Sequence, residues 1–209
     1  MMSTTDFTND KDFSNLRVDL HSHTNCSDGA LTPKELIERA VNFQIDVLAI
    51  TDHDSVKGLD SAKQTILDQN IPLTLIDGIE ISTQWQGFEI HIVGLNIQPE
   101  HPELQSLISA QQQRREDRAL SMGEKLEKCG FNDVYSQAKE MAGEGSITRA
   151  HFAKVLLHRG IVSKMQAAFD KYIGKGKRAY VNPNWCSIEE AVATIHAAGG
   201  VAVMAHPIR

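Results

Sequence analysis

The chain has 209 residues, 41% of them hydrophobic and 23% charged, a globular balance that excludes disorder as the default and allows one domain with room for an inserted subdomain. No apolar run approaches the roughly 20 residues that span a bilayer, the polar opening lacks the form of a secretory signal, and the three cysteines make no Cys-x-x-Cys pair, so a cytoplasmic protein without a membrane partner is expected. A net charge of -6, with no aromatic-rich basic surface, excludes tight binding to long nucleic-acid strands.

Residues 1–15 read as a mobile tail. Residues 16–21 alternate apolar and polar side chains and predict a strand with Leu16, Val18 and Leu20 inward. Thr32-Pro33-Lys34-Glu35 has the form of a capping box with proline at the first helical position, and Leu36, Ile37, Ala40 and Val41 continue at helical spacing. An apolar strand over 46–51, a helix over 58–69 and strands over 73–81 and 88–95 follow. Strand and helix in alternation predict an α/β fold with a mainly parallel sheet, open or closed into a barrel, and chemistry at the carboxyl ends of the strands.

Over 102–180 the strand rhythm gives way to four helical segments, read as an inserted cap beside the active face. The rhythm resumes over 181–209 with a second capping box, Ser187-Ile188-Glu189-Glu190, a helix to Ala198, the break Gly199-Gly200 and a strand over 201–205. The expected division is therefore a tail (1–15), a first barrel part (16–101), a helical insertion (102–180) and a second barrel part (181–209). Charge follows the same lines: residues 100–180 carry 14 Lys and Arg against 10 Asp and Glu, the remainder 7 against 17. An acidic body with a basic attachment suits an anionic substrate held between cations and basic side chains, phosphate foremost. No glycine-rich phosphate loop is present, since Gly174-Lys175-Gly176-Lys177 lacks the rest of that motif.

His21 and His23 stand two apart in the first strand, so both reach the same face and can grip one cation, with Asp28 close behind. Taken singly, a His-x-His is also two polar residues on a solvated strand. The pattern recurs, however: apolar runs end in Thr51-Asp52-His53-Asp54, Asp77-Gly78-Ile79-Glu80 and Ala205-His206-Pro207, and His91 lies within an alternating strand. Recurrence at strand ends predicts a metal site. Cys26 reads as a small packed residue, and Arg114, Arg115 and Arg118, interleaved with Glu116 and Asp117, as a surface helix with local ion pairs, a basic patch in contact with substrate being the alternative. His101, His158 and His196 fall outside every motif.

As a set, His21-x-His23 with Asp28, Thr51-Asp52-His53, Gly78-Ile79-Glu80-Ile81-Ser82, His91, Arg149-x-His151 and Ala205-His206-Pro207 resemble the PHP (polymerase and histidinol phosphatase) superfamily. Within it the likeness is to bacterial 3′,5′-nucleotide bisphosphate phosphatases, which include 5′-to-3′ exoribonucleases of the RNase AM type, and it runs from about Leu16 to the end. The resemblance implies a distorted (β/α)7 barrel holding two or three divalent metal ions, Mn²⁺ foremost, with Fe²⁺ and Zn²⁺ also suited to such ligands. It implies His21, His23, Asp28, His53, Glu80, His91 and His206 as metal ligands, Glu80 bridging two ions, and attack by metal-bound hydroxide with no nucleophilic side chain.

The resemblance also makes Arg149 and His151 phosphate contacts. Lys177 and Arg178 in the basic loop 175–181 join them as substrate-binding candidates, a solvated basic turn being an equal alternative. The substrate implied is a 3′,5′-bisphosphonucleoside or the 5′ end of a short RNA, with a histidinol phosphatase-like enzyme as the alternative. The family pattern continues into a late Asp-x-His that supplies two further ligands, and none follows His206 here. With too few strands to close a barrel, a form incomplete at its C-terminus is expected; the lost ligands favour an inactive truncated metal-binding module as a further alternative.

Overall fold

The structure is a computed structural model and describes residues 15–207; the tail read over residues 1–15 lies outside the described residues except for Asn15. Among these residues five strands, β1 (Val18–Ser22), β2 (Val47–Ile50), β3 (Thr74–Trp85), β4 (Phe88–Leu95) and β5 (Val201–Met204), pair in chain order as one curled, open half-barrel. Helices α1 (Pro33–Asn42) and α2 (Gly58–Gln69) connect β1, β2 and β3, which are parallel. The capping box of α1 is complete: Thr32 Oγ1 accepts from the Glu35 N–H at 3.2 Å and the Thr32 N–H donates to Glu35 Oε2 at 2.8 Å. Such a cap contributes about 1 kcal/mol and fixes where the chain turns back toward the sheet.

The expectation of a mainly parallel sheet is corrected to a mixed one. β4 runs antiparallel to β3 from Gly78↔Leu95 to Trp85↔Phe88, and β5 runs antiparallel to β4. The cause lies in Gln86 and Gly87, which occupy positive φ of 46° and 79°, the backbone of a two-residue hairpin turn whose twist matches its strands. A second correction concerns β1. Leu16, Val18 and Leu20, expected inward, are 41%, 49% and 38% exposed, because among the described residues β1 pairs with β2 alone. Burial falls instead on Ser22, whose hydroxyl donates to the Ala49 carbonyl at 2.6 Å.

Residues between β4 and β5 form α3 (Pro102–Glu127), α4 (Val134–Ala142), α5 (Arg149–His158), the short α6 (Met165–Ala168) running into a π-helical turn (Phe169–Ile173), and α7 (Ile188–Ala197). At α7 only the hydroxyl half of the predicted capping box is formed, Ser187 Oγ accepting from the Glu190 N–H at 3.1 Å. Ile37 and Ala40 of α1 and Leu59 and Ala62 of α2 bury against Leu48 and Ile50 of β2. Ile79, Ile81 and Ile92 of the hairpin meet Leu104 and Leu107 of α3 and Ile195 of α7. The helices have a core of their own, with Met122 and Leu126 of α3 against Ala138, Phe152 and Leu156. Thus α3 is shared: its first turns belong to the sheet, its last turns to the helical core, and its middle spans the gap. No described helix is long and apolar enough to cross a membrane.

Candidate metal centre

Glu80 points from the middle of β3 into a cavity of about 450 Å³ at the carboxyl ends of the parallel strands. It is 1% exposed, and five imidazoles surround it. His21 Nε2, His23 Nε2 and His53 Nδ1 lie 3.1, 3.2 and 3.2 Å from Oε2, while His91 Nδ1 and His206 Nε2 lie 3.0 and 3.2 Å from Oε1. Each comes from a different turn of the sheet: the end of β1, the loops after β1, β2 and β5, and the inner face of β4.

Two loops make this convergence possible. Asp52, 1% exposed, accepts from the Thr24 N–H at 2.7 Å and from the Thr24 and Ser27 hydroxyls, both at 2.6 Å, and so pins the loop carrying His23 and Asp28 to the residue before His53. Gly29 closes that loop; a Cβ there would lie 2.4 Å from the His23 carbonyl oxygen, closer than any side chain tolerates. On the other side of His53, Asp54 adopts φ 47° and accepts from the Ser82 N–H at 2.9 Å and from Arg115 Nε at 2.8 Å. Ser146 Oγ donates to the His53 carbonyl at 2.7 Å, and Gln112 Nε2 to the Asp54 carbonyl at 2.7 Å.

The donor set fits divalent cations. Glu80 Oε2 and His53 Nδ1 are both buried and have no hydrogen-bond partner among the described residues, although they approach within 3.2 Å of one another. Buried polar atoms left so are costly unless something else satisfies them. His21–His23–Glu80, His23–Asp28–His53 and His53–Glu80–His91 each bring three ligand atoms within 4.8 Å of one another. These triads share His23, His53 and Glu80, which is how neighbouring ions share ligands.

Protonation follows the same geometry. Burial works to raise the Glu80 carboxyl, but contacts with His21, His23 and His91 outweigh it and hold the group far below the carboxylate range. Burial likewise opposes protonation of His91, yet Glu80 and Glu89 together carry it up to about 9. His53 goes the other way: burial, reinforced by Arg115, His91 and His23, drops it well below 6.5 against the pull of Glu80, leaving a neutral imidazole with a lone pair to offer. The Cys26 thiol is pushed up by burial and lies outside the cavity lining, in keeping with a packed residue.

Residues 19–196 match the family model for the PHP domain. The chain belongs to the PHP domain family. Over 193 residues it is 47% identical to a 5′-3′ exoribonuclease of Haemophilus influenzae, covering 92% of this chain and 69% of that protein. It is 47% identical to the 5′-3′ exoribonuclease Rnm of Escherichia coli, with 91% and 65% covered, and 41% identical to a 3′,5′-nucleoside bisphosphate phosphatase of Chromobacterium violaceum, with 92% and 67% covered. Among solved structures, an amidohydrolase from Chromobacterium violaceum with bound sulfate superposes with a TM-score of 0.86 at 40% identity, covering 91% of this chain and 67% of that one. A Bifidobacterium adolescentis protein named as a metal-dependent phosphoesterase gives 0.85 at 28% identity, with 92% and 67% covered. The chain spans about two thirds of the length of these relatives.

In this PHP domain all seven residues singled out as ligands line the one cavity, and Arg149 joins them. His151 does not line it: buried at the start of α5, it accepts the Thr148 N–H on Nδ1 at 3.0 Å and completes the cap of that helix. Burial first, then Lys154, lowers its pKa to about 4. Lys177 and Arg178 are exposed in the turn after the π-helical segment and are also absent from the lining.

The wall facing the histidines was only partly legible in the sequence, which offers Arg115 and Arg118 as a basic patch but favours the surface for them. Arg115 and Arg118, read as surface residues, are 6% and 9% exposed; Arg115 pairs with Asp54, and Arg118 Nη1 with Glu89 Oε1 at 3.2 Å. The signal was there: Leu104, Leu107, Gln111, Arg115, Arg118 and Met122 form one buried stripe at helical spacing, and the arginines interrupt it only chemically. Glu89 was likewise readable as the residue two before His91, on the same strand face.

Proposed function

We propose that this PHP domain is a metal-dependent phosphoesterase that releases phosphate from 3′,5′-bisphosphonucleosides or acts at the 5′ end of short RNA. The observation that carries the reading is the convergence of five imidazoles and Asp28 around buried Glu80 in a cavity whose opposite wall is arginine. His21, His23, Asp28, His53, Glu80, His91 and His206 would hold two or three divalent cations, manganese foremost, Glu80 being common to two of the ligand triads. When bound, such cations neutralise phosphoryl oxygens and bring water to a usable pKa.

The chain's own residues do the rest. Thr24, Ser27 and Asp52 fix the ligand loop, and Asp54 with Arg115 fixes His53 from behind, so the ligands are set before substrate arrives. Arg149 offers its guanidinium to phosphate oxygens from the first turn of α5. Residues 102–180 would act as the cap that sizes the substrate, which favours a nucleotide or a strand end over a long strand. The relatives named for exoribonuclease and bisphosphate phosphatase activity support this choice.

The test, with manganese, is phosphate release from adenosine 3′,5′-bisphosphate, mononucleotide release from a 5′-phosphorylated short RNA, and phosphate release from histidinol phosphate. Release from either of the first two is expected. Release from histidinol phosphate alone would overturn the substrate assignment.

A further inference from the structure

Glu89 lines the same cavity as the histidines but takes no part in the ligand triads. Its oxygens are committed elsewhere. Oε1 accepts from Trp185 Nε1 at 2.9 Å and from Arg118 Nη1 at 3.2 Å, and Oε2 accepts from Arg149 Nη2 at 2.7 Å. His91 Nε2 stays 4.0 Å away, beyond a hydrogen bond. A carboxylate two residues from a candidate ligand is thus turned toward two arginines that come from different helices, α3 and α5.

We propose that Glu89 is a positioning residue that sets Arg118 and Arg149 as a paired cationic wall for the part of the substrate remote from the bond being broken, its second phosphate. This rests on the phosphoesterase reading above. Two guanidiniums drawn to one carboxylate leave a net positive charge on the wall, so it retains attraction for an anion. The plane of Arg118 is also restricted: its guanidinium lies 5.2 Å from the Trp185 ring, and its Nε donates to the Val181 carbonyl at 3.2 Å. Arg118 Nη2, buried, has no acceptor among the described residues, so hydrogen-bonding capacity remains after Glu89 is satisfied. Without Glu89 the two arginines repel and separate, and the wall loses its spacing.

The experiment uses the full chain and two variants, Glu89→Gln, which removes the charge and keeps the shape, and Arg149→Met, which leaves Glu89 paired with Arg118 and so keeps the buried contact. Kinetics with manganese are compared for adenosine 3′,5′-bisphosphate and for p-nitrophenyl phosphate, which has no second phosphate. Calorimetry measures binding of adenosine 3′,5′-bisphosphate to metal-free protein. Both variants are expected to raise KM for the bisphosphate about tenfold and to weaken metal-free binding by a similar factor, the cost of one lost charge-assisted contact, with kcat within about twofold in Glu89→Gln. In Glu89→Gln the KM for p-nitrophenyl phosphate should stay within about twofold. Equal losses on both substrates, or unchanged bisphosphate binding, in Glu89→Gln would overturn the proposal. If the parent chain releases no phosphate yet binds the bisphosphate through Glu89, the phosphoesterase reading fails and the positioning role stands.

Discussion

Truncating Arg115 to alanine should lower folding stability by about 3–5 kcal/mol, the range for removing one partner of a buried ion pair. Arg115 and Asp54 are 6% and 1% exposed. Asp54 Oδ2 receives Arg115 Nε at 2.8 Å and Nη2 at 2.5 Å, and Nη2 also reaches Ser82 Oγ at 2.6 Å. After truncation Oδ1 keeps the Ser82 N–H and Gln111 Nε2, but Oδ2 is left as a buried charge facing a void. Loss of the stacking of Arg115 over Trp185, 5.0 Å to the ring centre, adds roughly 0.5–2 kcal/mol. Against a typical total of about 5–15 kcal/mol, that is a large fraction. Urea unfolding at equilibrium reads it directly through the midpoint at constant m. The double variant Asp54→Asn with Arg115→Met should recover much of the loss, because the uncompensated charge has gone. A decrease under about 1 kcal/mol in Arg115→Ala, or a double variant as unstable as the sum of the two singles, would refute the reasoning.

Three further outcomes are expected. Gly29→Ala should displace the His23 carbonyl and the loop behind it, reducing the manganese retained after gel filtration, as measured by elemental analysis, while urea stability falls by no more than about 1–3 kcal/mol. Glu80→Gln removes the charge common to two triads; losing an outer partner of a ligand already costs about 10–100-fold, so metal affinity should fall by more than 100-fold, read by competition with a chelating dye. His151 has a folded pKa of about 4 against 6.5 when free, so the unfolded chain takes up the proton first. Its contribution is fully present above pH 6.5 and is lost as pH falls toward 4, up to on the order of 3 kcal/mol. Parent and His151→Asn unfolding curves should therefore differ in slope across that window; parallel curves would reject the assignment.

The cavity's histidine side was legible because its ligand types stand at the ends of apolar runs, a pattern that needs no knowledge of which strands pair. His21, His23, His53 and His206 are all of this kind, and Glu80 follows from the same rule. Strand direction was not legible from periodicity, since an alternating strand reads identically both ways; it was encoded in Gln86-Gly87, a short signal between long ones. The exposure of Val18 and Leu20 depends on which strands pair with β1, which alternation does not carry. Arg115, Arg118 and Glu89 were misjudged or passed over because charge was taken as a mark of the surface, whereas here each charge is buried against a partner far away in sequence. His151, a motif residue beside Arg149, is occupied in capping a helix, a role its spacing from Thr148 alone does not announce.

The gathering of ligands around Glu80 also sets an order of events in folding. No two neighbouring strands bring the cluster together; β1, β2, β3, β4 and the turn after β5 must all be docked before the last imidazole arrives. β5 is four residues long and, among the described residues, pairs with β4 alone. An ion gripped by His206 as well as by the earlier strands would therefore act as a latch on β5, so that cation loading and the release of β5 from β4 become two readings of one equilibrium.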